Sequence, residues 1–451
     1  MTSPLRDLVS GDVLEPGDEG YDEARHVWNA RFDRRPDLIA RCIDADDVAA
    51  AVQWARTSGV TISVKGGGHS YAGNSVADGG LLIDLSKMAG IKVRPDDMTA
   101  TVEAGATWAE LDSATQHHGL ATTGVTVSSV GVAGSTLGGG SGWLSRRFGN
   151  ALDNLRAVDL VTADGEQVRA SHDENPDLFW GLRGAGPNLG VATAFEFDLH
   201  EVGPEVLAGQ IIYPFDDAER LLRTFREVME DARDDFQCFP FTFRVPPIDV
   251  FPEAFHGQPV LDFVVFNLDP GAPEVVESLR GLGDPILDAV GPTPYTTAQQ
   301  AFDPNLPAGQ RYYSKAHDLA DLSDDAIDTF AKHVRTMQGP LTAAYLEPRG
   351  GAVARVDNLT TAAGGRDAPY SFHIIAGWME AADDAAVMDW ARAFADDMAA
   401  HATGGVYVNL IAEDEADRVA TAFSDHDRVR TVKRQWDPDN TFRNNHNVPP
   451  A

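Results

Sequence analysis

Three glycine-rich turns in the first half of the chain are the clearest candidates for chemistry. They lie at residues 66–68, 138–142 and 184–190. Glycine loses more backbone entropy on folding than any other residue, so three such turns need a cause. One cause is close approach of the backbone to a bulky ligand, since phosphate oxygens accept hydrogen bonds from backbone N–H groups. The turns therefore predict a site for a phosphate-bearing ligand.

The two common nucleotide-binding loops do not fit these turns. Gly184, Gly186 and Gly190 have GxGxxxG spacing instead of GxGxxG, and Pro187 removes a backbone donor. A strand, not a helix, is predicted to follow them. The chain also has no GxxxxGKS or GxxxxGKT sequence, which argues against ATP or GTP hydrolysis. A nucleotide cradle of another kind is predicted.

His69 directly follows the first turn, at the end of an apolar strand predicted over residues 60–64. Taken alone, a histidine there is more often a loop residue or a hydrogen-bonding partner. Its neighbours change that interpretation. The sequence VKGGGHSYAG at residues 64–73 resembles the flavin-attachment loop of the vanillyl-alcohol-oxidase/PCMH flavoproteins, in particular of their berberine-bridge-enzyme-like branch.

Three further segments extend this resemblance in the same order along the chain. GVAGSTLGGGSGW at residues 131–143 is similar to the second FAD-contacting segment of the family, and LFWGLRGAGPNLGV at 178–191 to the third. WDPDNTFR at 436–443 and NHNVPP at 445–450 resemble its closing signature. One glycine string is weak evidence, but four ordered segments are strong evidence.

The resemblance implies covalently bound FAD, with a nitrogen of His69 joined to the 8α-methyl group of the isoalloxazine ring. A neutral imidazole is a competent nucleophile toward that carbon in the electrophilic form of the flavin. The resemblance also implies cofactor contacts from these residues: Lys65, Gly66, Gly67, Gly68, Ser70, Val127, Val130, Gly131, Gly134, Ser135, Gly138, Gly139, Gly140, Gly142, Gly190, Val191, Asn445 and Asn447.

Two valines before the second segment bear on the type of flavoprotein. Bicovalent members of the family carry a second flavin-linked residue, a cysteine, where this chain has Val127. A single link through His69 is therefore expected. Val130 occupies the place that resembles the oxygen gatekeeper of the family, where a small side chain favours an oxidase over a dehydrogenase. The alternative is that Val130 is a core residue of a strand.

Five residues are candidates for the substrate side of the site: Tyr71, Glu347, His373, Tyr407 and Asn409. Tyr71 matches a substrate-contacting tyrosine of related oxidases, or packs on the flavin. Tyr407 and Asn409 are predicted to share one face of a strand over residues 406–411, and resemble a Tyr-x-Asn strand that lines the pocket of relatives. Oxidation of an alcohol needs a base for the hydroxyl proton. Its identity stays open, because many relatives have a tyrosine where this chain has Leu410.

Glu347 and His373 lie in predicted strands of the second half of the chain. Glu347 aligns with a segment of the substrate sheet in which relatives carry an acidic residue at this position or at the neighbouring one. Its alternative role is a solvated carboxylate at a strand end. His373 interrupts an apolar strand, and its alternative role is a satisfied core or surface group. The adjacent His117 and His118 do not face each other on a helix and have no ligand partner at a suitable spacing, so no metal site is expected.

The periodicity predicts short strands alternating with helices, then longer strands with amphipathic helices. A helix capped by Asp44 or Asp46, a helix from Thr107 to His117 and a hairpin across Asp164-Gly165 are examples. Strands are expected over 352–356 and 406–411, and helix over much of 413–451. The resemblance implies an α+β fold with a PCMH-type FAD-binding domain and a substrate domain of antiparallel sheet backed by helices. The expected division is an N-terminal extension (1–35), the FAD-binding domain (36–204), the substrate domain (205–411) and a C-terminal segment returning to the first domain (412–451).

The chain is strongly acidic, with a formal net charge of -33 over 451 residues. Aspartate is abundant and lysine scarce, a surface that repels itself at low ionic strength and is screened at high salt. This composition is typical of a cytoplasmic protein of a halophile; an acidic mesophilic enzyme is the alternative. Nucleic acid and anionic membranes are poor partners, because no basic stripe is present. The two cysteines form neither a disulfide framework nor a metal cluster.

These observations predict a cytoplasmic FAD-dependent oxidase. A hydride from a CH–OH group, as in a sugar or another alcohol, or from a CH–NH group would reduce the flavin, and O₂ would reoxidise it to give H₂O₂. The alternatives are a flavin dehydrogenase with another acceptor and a non-catalytic flavin-binding protein. The small-molecule substrate and the oligomeric state stay open.

Overall fold

The computed structural model describes residues 4–271 and 274–451. Its main β-sheets fall into two groups, each with its own hydrophobic core, and the second group consists of one large sheet. The strands are β1 (Asp12–Leu14), β2 (Leu38–Arg41), β3 (Ile62–Lys65), β4 (Leu81–Asp84), β5 (Ile91–Arg94), β6 (Thr99–Glu103), β7 (Leu120–Ala121), β8 (Leu155–Val161), β9 (Gln167–Ser171), β10 (Val191–Asp198), β11 (His200–Glu201), β12 (Glu205–Pro214), β13 (Phe236–Arg244), β14 (Pro259–Asn267), β15 (Leu287–Asp288), β16 (Gly291–Pro294), β17 (Arg311–Leu319), β18 (Ala343–Pro348) and β19 (Tyr370–Trp378). The α-helices are α1 (Tyr21–Arg25), α2 (Ala45–Ser58), α3 (Trp108–Gln116), α4 (Val132–Gly138), α5 (Ser145–Phe148), α6 (Pro176–Ala185), α7 (Ala218–Glu230), α8 (Glu274–Arg280), α9 (Tyr295–Gln299), α10 (Asp324–Arg335), α11 (Gly351–Arg355), α12 (Asp384–Met398) and α13 (His426–Trp436).

The first group of sheets carries the glycine turns. Its four-stranded sheet has the order β1-β2-β4-β3, in which β4 runs parallel to β2 and β3. A five-stranded antiparallel sheet follows, with the order β5-β6-β10-β8-β9. Apolar residues of both sheets and of α2, α3 and α6 share one hydrophobic core. This core holds the end of β3 firmly, and the first turn and His69 come directly after that end.

Local sequence signals set the helix starts and turns in this region. The Asp44 side chain accepts a hydrogen bond from the backbone N–H of Asp47 and caps α2. Thr107 and Glu110 form a reciprocal capping box at the start of α3. The hairpin β8–β9 turns at Gly165, which has a positive φ of 77°. The predicted caps and this hairpin are confirmed.

The second group is one large antiparallel sheet, with the order β15-β12-β14-β13-β18-β19-β17 and with β16 paired to β12. Helices α7, α10 and α12 contribute apolar residues to a core with one face of this sheet. The opposite face packs aromatic residues against Trp143 and Leu144 of the first region. The predicted α+β class, with an antiparallel sheet backed by helices, is confirmed.

Three predicted elements are wrong. Residues 352–356 lie mostly in α11, not in a strand, because Gly350 and Gly351 turn the chain with positive φ and alanine and arginine favour helix. Residues 406–411 form an irregular segment with a 3₁₀ turn at Val408–Leu410, held by local hydrogen bonds and without a partner strand within the described ranges. After residue 413 the α-helix covers only His426–Trp436, preceded by a 3₁₀ turn at Ala416–Ala422.

The predicted domain boundaries stay predictions, although the hydrophobic cores show how the segments pack. β1 adds an edge strand to the first sheet, so residues before 36 take part in that sheet. Val406, Val408, Leu410 and Ile411 belong to the core of the first region, although they precede the predicted boundary at 411.

Candidate active site

The first glycine turn lies directly against Gly131, at the start of α4. A Cβ atom added to Gly67 would lie 2.4 Å from the backbone nitrogen of Gly131. Only glycine permits this approach without a shift of the backbone. Gly134, one turn into α4, behaves differently: a Cβ atom there would meet nothing within 4 Å. This side of Gly134 is open space and borders a large cavity.

The cavity has a volume of about 860 Å³. That is at the upper end of the range of roughly 300–1,000 Å³ typical of small-molecule sites. One half is lined by backbone-rich segments around Gly67, Gly134 and Gly190 and, near the C-terminus, by Phe442 and residues 444–446. The other half is lined by one face of the large sheet. A long ligand would therefore contact both groups of sheets.

Most of the predicted cofactor residues line this cavity. They are Gly66, Gly67, Gly68, His69, Ser70, Val127, Val130, Gly131, Gly134, Ser135, Gly138, Gly190, Val191 and Asn445. Lys65, Gly139, Gly140, Gly142 and Asn447 lie outside its lining.

Local contacts explain why several predicted residues lie away from the cavity. The ammonium group of Lys65 donates to the carbonyl oxygen of Ala24 and lies 3.7 Å from Asp84 Oδ1. Gly140 donates its N–H to the Tyr407 hydroxyl, so it affects the cavity only by holding Tyr407 in place. A Cβ atom on Gly142 would lie 2.2 Å from the carbonyl oxygen of Gly124, a close backbone packing contact. These residues support the walls of the site.

His69 sits in the wall as a neutral imidazole. Its Nε2 atom lies 3.2 Å from the Ser129 hydroxyl, and its ring stacks on Trp28 at a centroid distance of 4.9 Å. Trp28 in turn stacks on Tyr312 at 3.9 Å. Burial lowers the pKa of His69 to about 4, because the charged form is poorly solvated. At neutral pH the ring therefore keeps a free lone pair, which is what a nucleophile needs.

The cysteines of the chain lie away from this wall. Val127 and Val130 both line the cavity. Cys42 and Cys238 are buried elsewhere, and burial raises the pKa of each thiol, which keeps it protonated. Neither thiol is poised to react.

Tyr407 and Asn409 form a pair, although the segment is not a strand. Asn409 Nδ2 donates to the Tyr407 hydroxyl oxygen at 2.8 Å, and the Gly140 N–H donates to the same oxygen at 3.0 Å. Burial raises the pKa of Tyr407 despite these donors, so the phenol keeps its proton. Since its oxygen already accepts two hydrogen bonds, the Tyr407 O–H is free to donate to a ligand in the cavity.

Glu347 and His373 lie side by side on the face of the large sheet. Glu347 Oε2 is 3.2 Å from His373 Nε2, and Oε1 accepts a hydrogen bond from the Ser141 hydroxyl. Burial favours the neutral acid, but His373, Arg349 and Ser141 outweigh it and lower the pKa of Glu347. Neither ring nitrogen of His373 has a hydrogen bond of good geometry within the described ranges. The pair is an ionised carboxylate beside an imidazole with hydrogen-bonding capacity to spare.

Tyr71 also lines the cavity, edge-on to Trp28 at a centroid distance of 5.3 Å. Burial raises the pKa of Tyr71, so it stays protonated. All five predicted substrate-side residues therefore border the same cavity.

Three further residues of this site escaped the sequence analysis. Tyr345 stacks on His373 at 4.5 Å, with ring planes only 4° apart. Its position two residues before Glu347 on β18 was an available signal, because alternate residues of a strand share a face. Ser141 lies inside the second glycine cluster, which could have suggested it. Trp28, in contrast, comes from a segment without periodicity and had no such signal.

The cavity fits a flavin dinucleotide. Asn445 donates through Nδ2 to the carbonyl oxygen of Pro187 at 2.7 Å, while its buried Oδ1 has no partner within the described ranges. Such an acceptor at the cavity wall suits a polar ligand, because a buried polar atom without a partner is costly. The open side of Gly134, the first glycine turn and the start of α4 leave room for close backbone contact with a pyrophosphate.

Comparison with known proteins agrees with this geometry. An FAD binding domain family matches residues 36–171, and a family described as berberine and berberine like matches residues 406–449. (R)-6-hydroxynicotine oxidase of Paenarthrobacter nicotinovorans is 30% identical over an alignment that covers 100% of this chain and 98% of that protein. The chain belongs to the berberine-bridge-enzyme-like family of FAD-linked oxidoreductases.

Other members of the family resemble it along most of their length. Xylooligosaccharide oxidase of Thermothelomyces thermophilus is 28% identical, covering 94% of this chain and 89% of that protein. The crystal structure of 6-hydroxy-D-nicotine oxidase from Arthrobacter nicotinovorans superposes with a TM-score of 0.88 at 28% identity, covering 100% of both chains. These relatives support FAD as the cofactor and oxidation as the reaction class.

Candidate sites of other kinds are not evident. Among the helices at 4–271 and 274–451, none is both long and apolar enough to cross a membrane. In the same ranges, no group of three or more His, Cys, Asp or Glu side chains is placed to hold a metal ion.

Proposed function

We propose that this enzyme is an oxidase that holds FAD through one covalent bond to His69 and oxidises a CH–OH or CH–NH group of a small molecule. The observation that carries the proposal is the neutral imidazole of His69, in the cavity wall directly after the first glycine turn. When bound, FAD supplies a two-electron acceptor for the substrate C–H bond and transfers the electrons to O₂, giving H₂O₂.

A single attachment point is supported by the residues around the cavity. Val127 has no nucleophilic atom, and both cysteines of the chain lie outside the cavity lining. His69 is consumed by the link, so it does not serve as the base. Attachment also fixes the ring without the entropy cost of reversible binding, which favours a constant geometry for the reacting carbon.

We assign the role of base to the Glu347–His373 pair. The carboxylate is ionised and buried, and its low-polarity surroundings strengthen its interaction with a hydroxyl proton. The adjacent His373 stabilises the carboxylate and can share the proton. Ser141 fixes the orientation of Glu347.

Tyr407 is proposed to hold the substrate oxygen or nitrogen. Its hydroxyl accepts hydrogen bonds from Gly140 and Asn409, so its own proton is directed elsewhere. A donor in this position orients the reacting group toward the base. Val130 is proposed to leave space for O₂ in the cavity wall.

Anaerobic mixing tests the oxidase activity. Alcohols, sugars and cyclic amines are screened for bleaching of the flavin absorption band, and air is then admitted. The proposal expects bleaching by at least one of these compounds, recolouring by air and one equivalent of H₂O₂. A flavin that is reduced but recolours only with an artificial dye would show a dehydrogenase instead.

A further inference from the structure

The half of the cavity beyond Glu347 is walled by aromatic rings. Strand register places Phe241, Tyr345 and His373 side by side on one face of the large sheet. Tyr345 stacks on His373 at 4.5 Å and lies 5.4 Å from Phe241, and Phe241 lies 5.0 Å from Phe302. Phe243 continues the row two residues further along β13. These rings form a continuous apolar surface that leads away from the reacting end.

Three polar side chains in this half already have partners, whereas the Tyr345 hydroxyl and the Asn305 side chain have no hydrogen-bond partner among the described residues. Gln210 Nε2 donates to Asp262 Oδ2 at 2.7 Å. Arg244 donates to three backbone carbonyl oxygens, those of Met337, Gly257 and Arg335, at 2.9–3.3 Å. The guanidinium group is thereby engaged within the protein.

Thr342 is engaged in the same way. Its hydroxyl accepts the N–H of Gly377 at 3.0 Å and lies 3.4 Å from the carbonyl oxygen of that residue. Asp262, behind Gln210, is fully buried, and burial raises its pKa well above the ordinary value, so it adds no charge to the wall. The Tyr345 hydroxyl and the Asn305 amide are then left to hydrogen-bond the body of a ligand.

The apolar wall continues to solvent. Strand β18 runs from Glu347 back to Ala343, a distance of about 13 Å at the usual rise per residue. The loop after β13 then contributes Ile248 and Val250 to the cavity lining. Their exposed fractions are 50% and 58%, which places apolar side chains at the entrance. A ligand that extends along the whole of this wall would therefore meet them.

We infer that the substrate is an apolar alcohol with a ring-containing body, oxidised at the end that reaches Glu347, His373 and Tyr407. This inference rests on the proposed function and specifies its substrate class. The aromatic wall binds such a body by the hydrophobic effect and by ring stacking. A polyhydroxylated sugar of the same size has more hydroxyls than these two groups can bind, and each hydroxyl that loses water without gaining a partner costs about tenfold or more in affinity.

Two matched pairs of substrates test the class. Cyclohexanol is compared with glucose, and phenylcyclohexanol with cellobiose, by anaerobic flavin reduction and by kcat/KM. The inference expects each alcohol to exceed its sugar partner by at least 100-fold. It also expects phenylcyclohexanol to exceed cyclohexanol, because each buried methylene equivalent gives about fourfold. A sugar that is preferred over its partner overturns the inference and leaves the proposed oxidase function intact.

Variants at the entrance test the position of the apolar body. Ile248→Asn should lower kcat/KM for the three-ring alcohol biphenylylcyclohexanol about 3- to 10-fold and change cyclohexanol less than twofold, because only the longer body reaches residue 248. Met379→Asn is the control, since Met379 is 56% exposed and lies outside the cavity lining. Equal effects of Ile248→Asn on both alcohols would contradict the inference. Phe243→Asn provides a second variant within the wall.

A binding measurement separates this inference from the proposed function. Titration calorimetry with biphenylylcyclohexanone, the ketone product of the three-ring alcohol, needs no turnover. If the ketone binds the holoenzyme and Ile248→Asn weakens it about 3- to 10-fold, the apolar site stands even where no alcohol reduces the flavin, and only the proposed reaction fails. If the ketone does not bind, or binds the variant equally well, the inference fails.

Discussion

At the scale of single residues, the site is defined by which side chains are charged and which are neutral. His69 and Tyr407 are neutral because burial penalises their charged forms, whereas Glu347 stays ionised beside His373 and Arg349. Residue types alone could not divide these roles. The sequence identified His69, Glu347 and Tyr407 as candidates, but their protonation depends on neighbours that come from distant parts of the chain.

Glu347→Gln tests the assignment of the base. The amide keeps the size of the side chain but cannot accept a proton, so kcat should fall about 10²- to 10⁴-fold while the flavin is retained. Asp318→Asn is the matched control, because Asp318 faces the same side of the sheet, binds Arg349 and Ser371, and lies outside the cavity lining. Equal losses in both variants would argue against a special role for Glu347.

The pH profile of the wild-type enzyme belongs to the same test. Because the pKa of Glu347 is lowered, its carboxylate persists as the pH falls through the ordinary range of glutamic acid. Activity that depends on this base should therefore decline only below that range, when the carboxyl group becomes protonated. An acid limb above the ordinary glutamate pKa would point to another group.

At the scale of elements, helix starts could be predicted from local sequence signals, whereas the pairing of strands could not. Thr107 with Glu110 identifies the start of α3 because the capping box uses only neighbouring residues. Residues 406–411 alternate like a strand, yet no edge strand is placed beside them in the described part of the chain, and local turns satisfy their backbone. The alternating pattern indicates which side chains are buried. Here those side chains are buried against the core of the first group of sheets, not in a sheet of their own.

Gly134→Ala tests the cofactor cradle in α4. The added methyl group meets no protein atom within 4 Å, and alanine favours helix over glycine by up to about 1 kcal/mol, so the apoprotein should keep or gain stability. The methyl group would occupy space next to the flavin, however, and flavin content should fall. Gly291→Ala is the control, since a Cβ there also meets nothing but lies outside the cavity lining. Full flavin content in Gly134→Ala would place the cofactor elsewhere.

The contact between α3 and α9 should make the free energy of unfolding depend on pH. Asp112 of α3 is 3% exposed, accepts a hydrogen bond from Tyr295 of α9 at 3.3 Å, and has a second oxygen without a partner among the described residues. Burial raises the pKa of Asp112 to about 8, against an unfolded value of about 3.9. Between these two pH values the folded state holds one proton more than the unfolded state. The stability that this protonated carboxyl group contributes is therefore full below the unfolded pKa and is lost as the pH rises through the folded pKa of about 8.

Asp112→Asn should remove this pH dependence. The amide cannot ionise, so the variant should gain Tm relative to the wild type at pH 8 and gain less, or nothing, at pH 5. Thermal unfolding at both pH values measures the difference. Asp96→Asn, at an exposed turn, is the control and should show the same difference at both pH values. A gain for Asp112→Asn that does not change with pH contradicts the shifted carboxyl group.

At the scale of the whole molecule, the charge of -33 is the property that the sequence predicts most directly. Like charges repel in the folded state, and salt screens them, with a Debye length of about 10 Å at 0.1 M and 3 Å at 1 M. Tm should therefore rise as KCl is increased from 0.1 M to 1 M. A Tm that stays constant or falls would argue against a halophilic adaptation and favour an ordinary acidic enzyme.

The meeting of the two groups of sheets is also a property of the whole molecule. Ser141 of the first group binds Glu347 of the second, and Asn409 of the C-terminal part binds the backbone of Ser135. The resemblance to a family predicted that these segments converge, whereas periodicity alone could not, because it carries no information on contacts between distant segments. The cavity exists only where both groups of sheets are folded and docked.

The intact mass of the native protein tests the covalent link most directly. After denaturation, the wild type should exceed the mass of the bare polypeptide by one FAD, and the yellow colour should stay with the acid-precipitated protein. His69→Ala should have the bare polypeptide mass and release its flavin into the supernatant. A wild type with the mass of the polypeptide alone, or a His69→Ala variant that keeps the added mass, would contradict the attachment at His69.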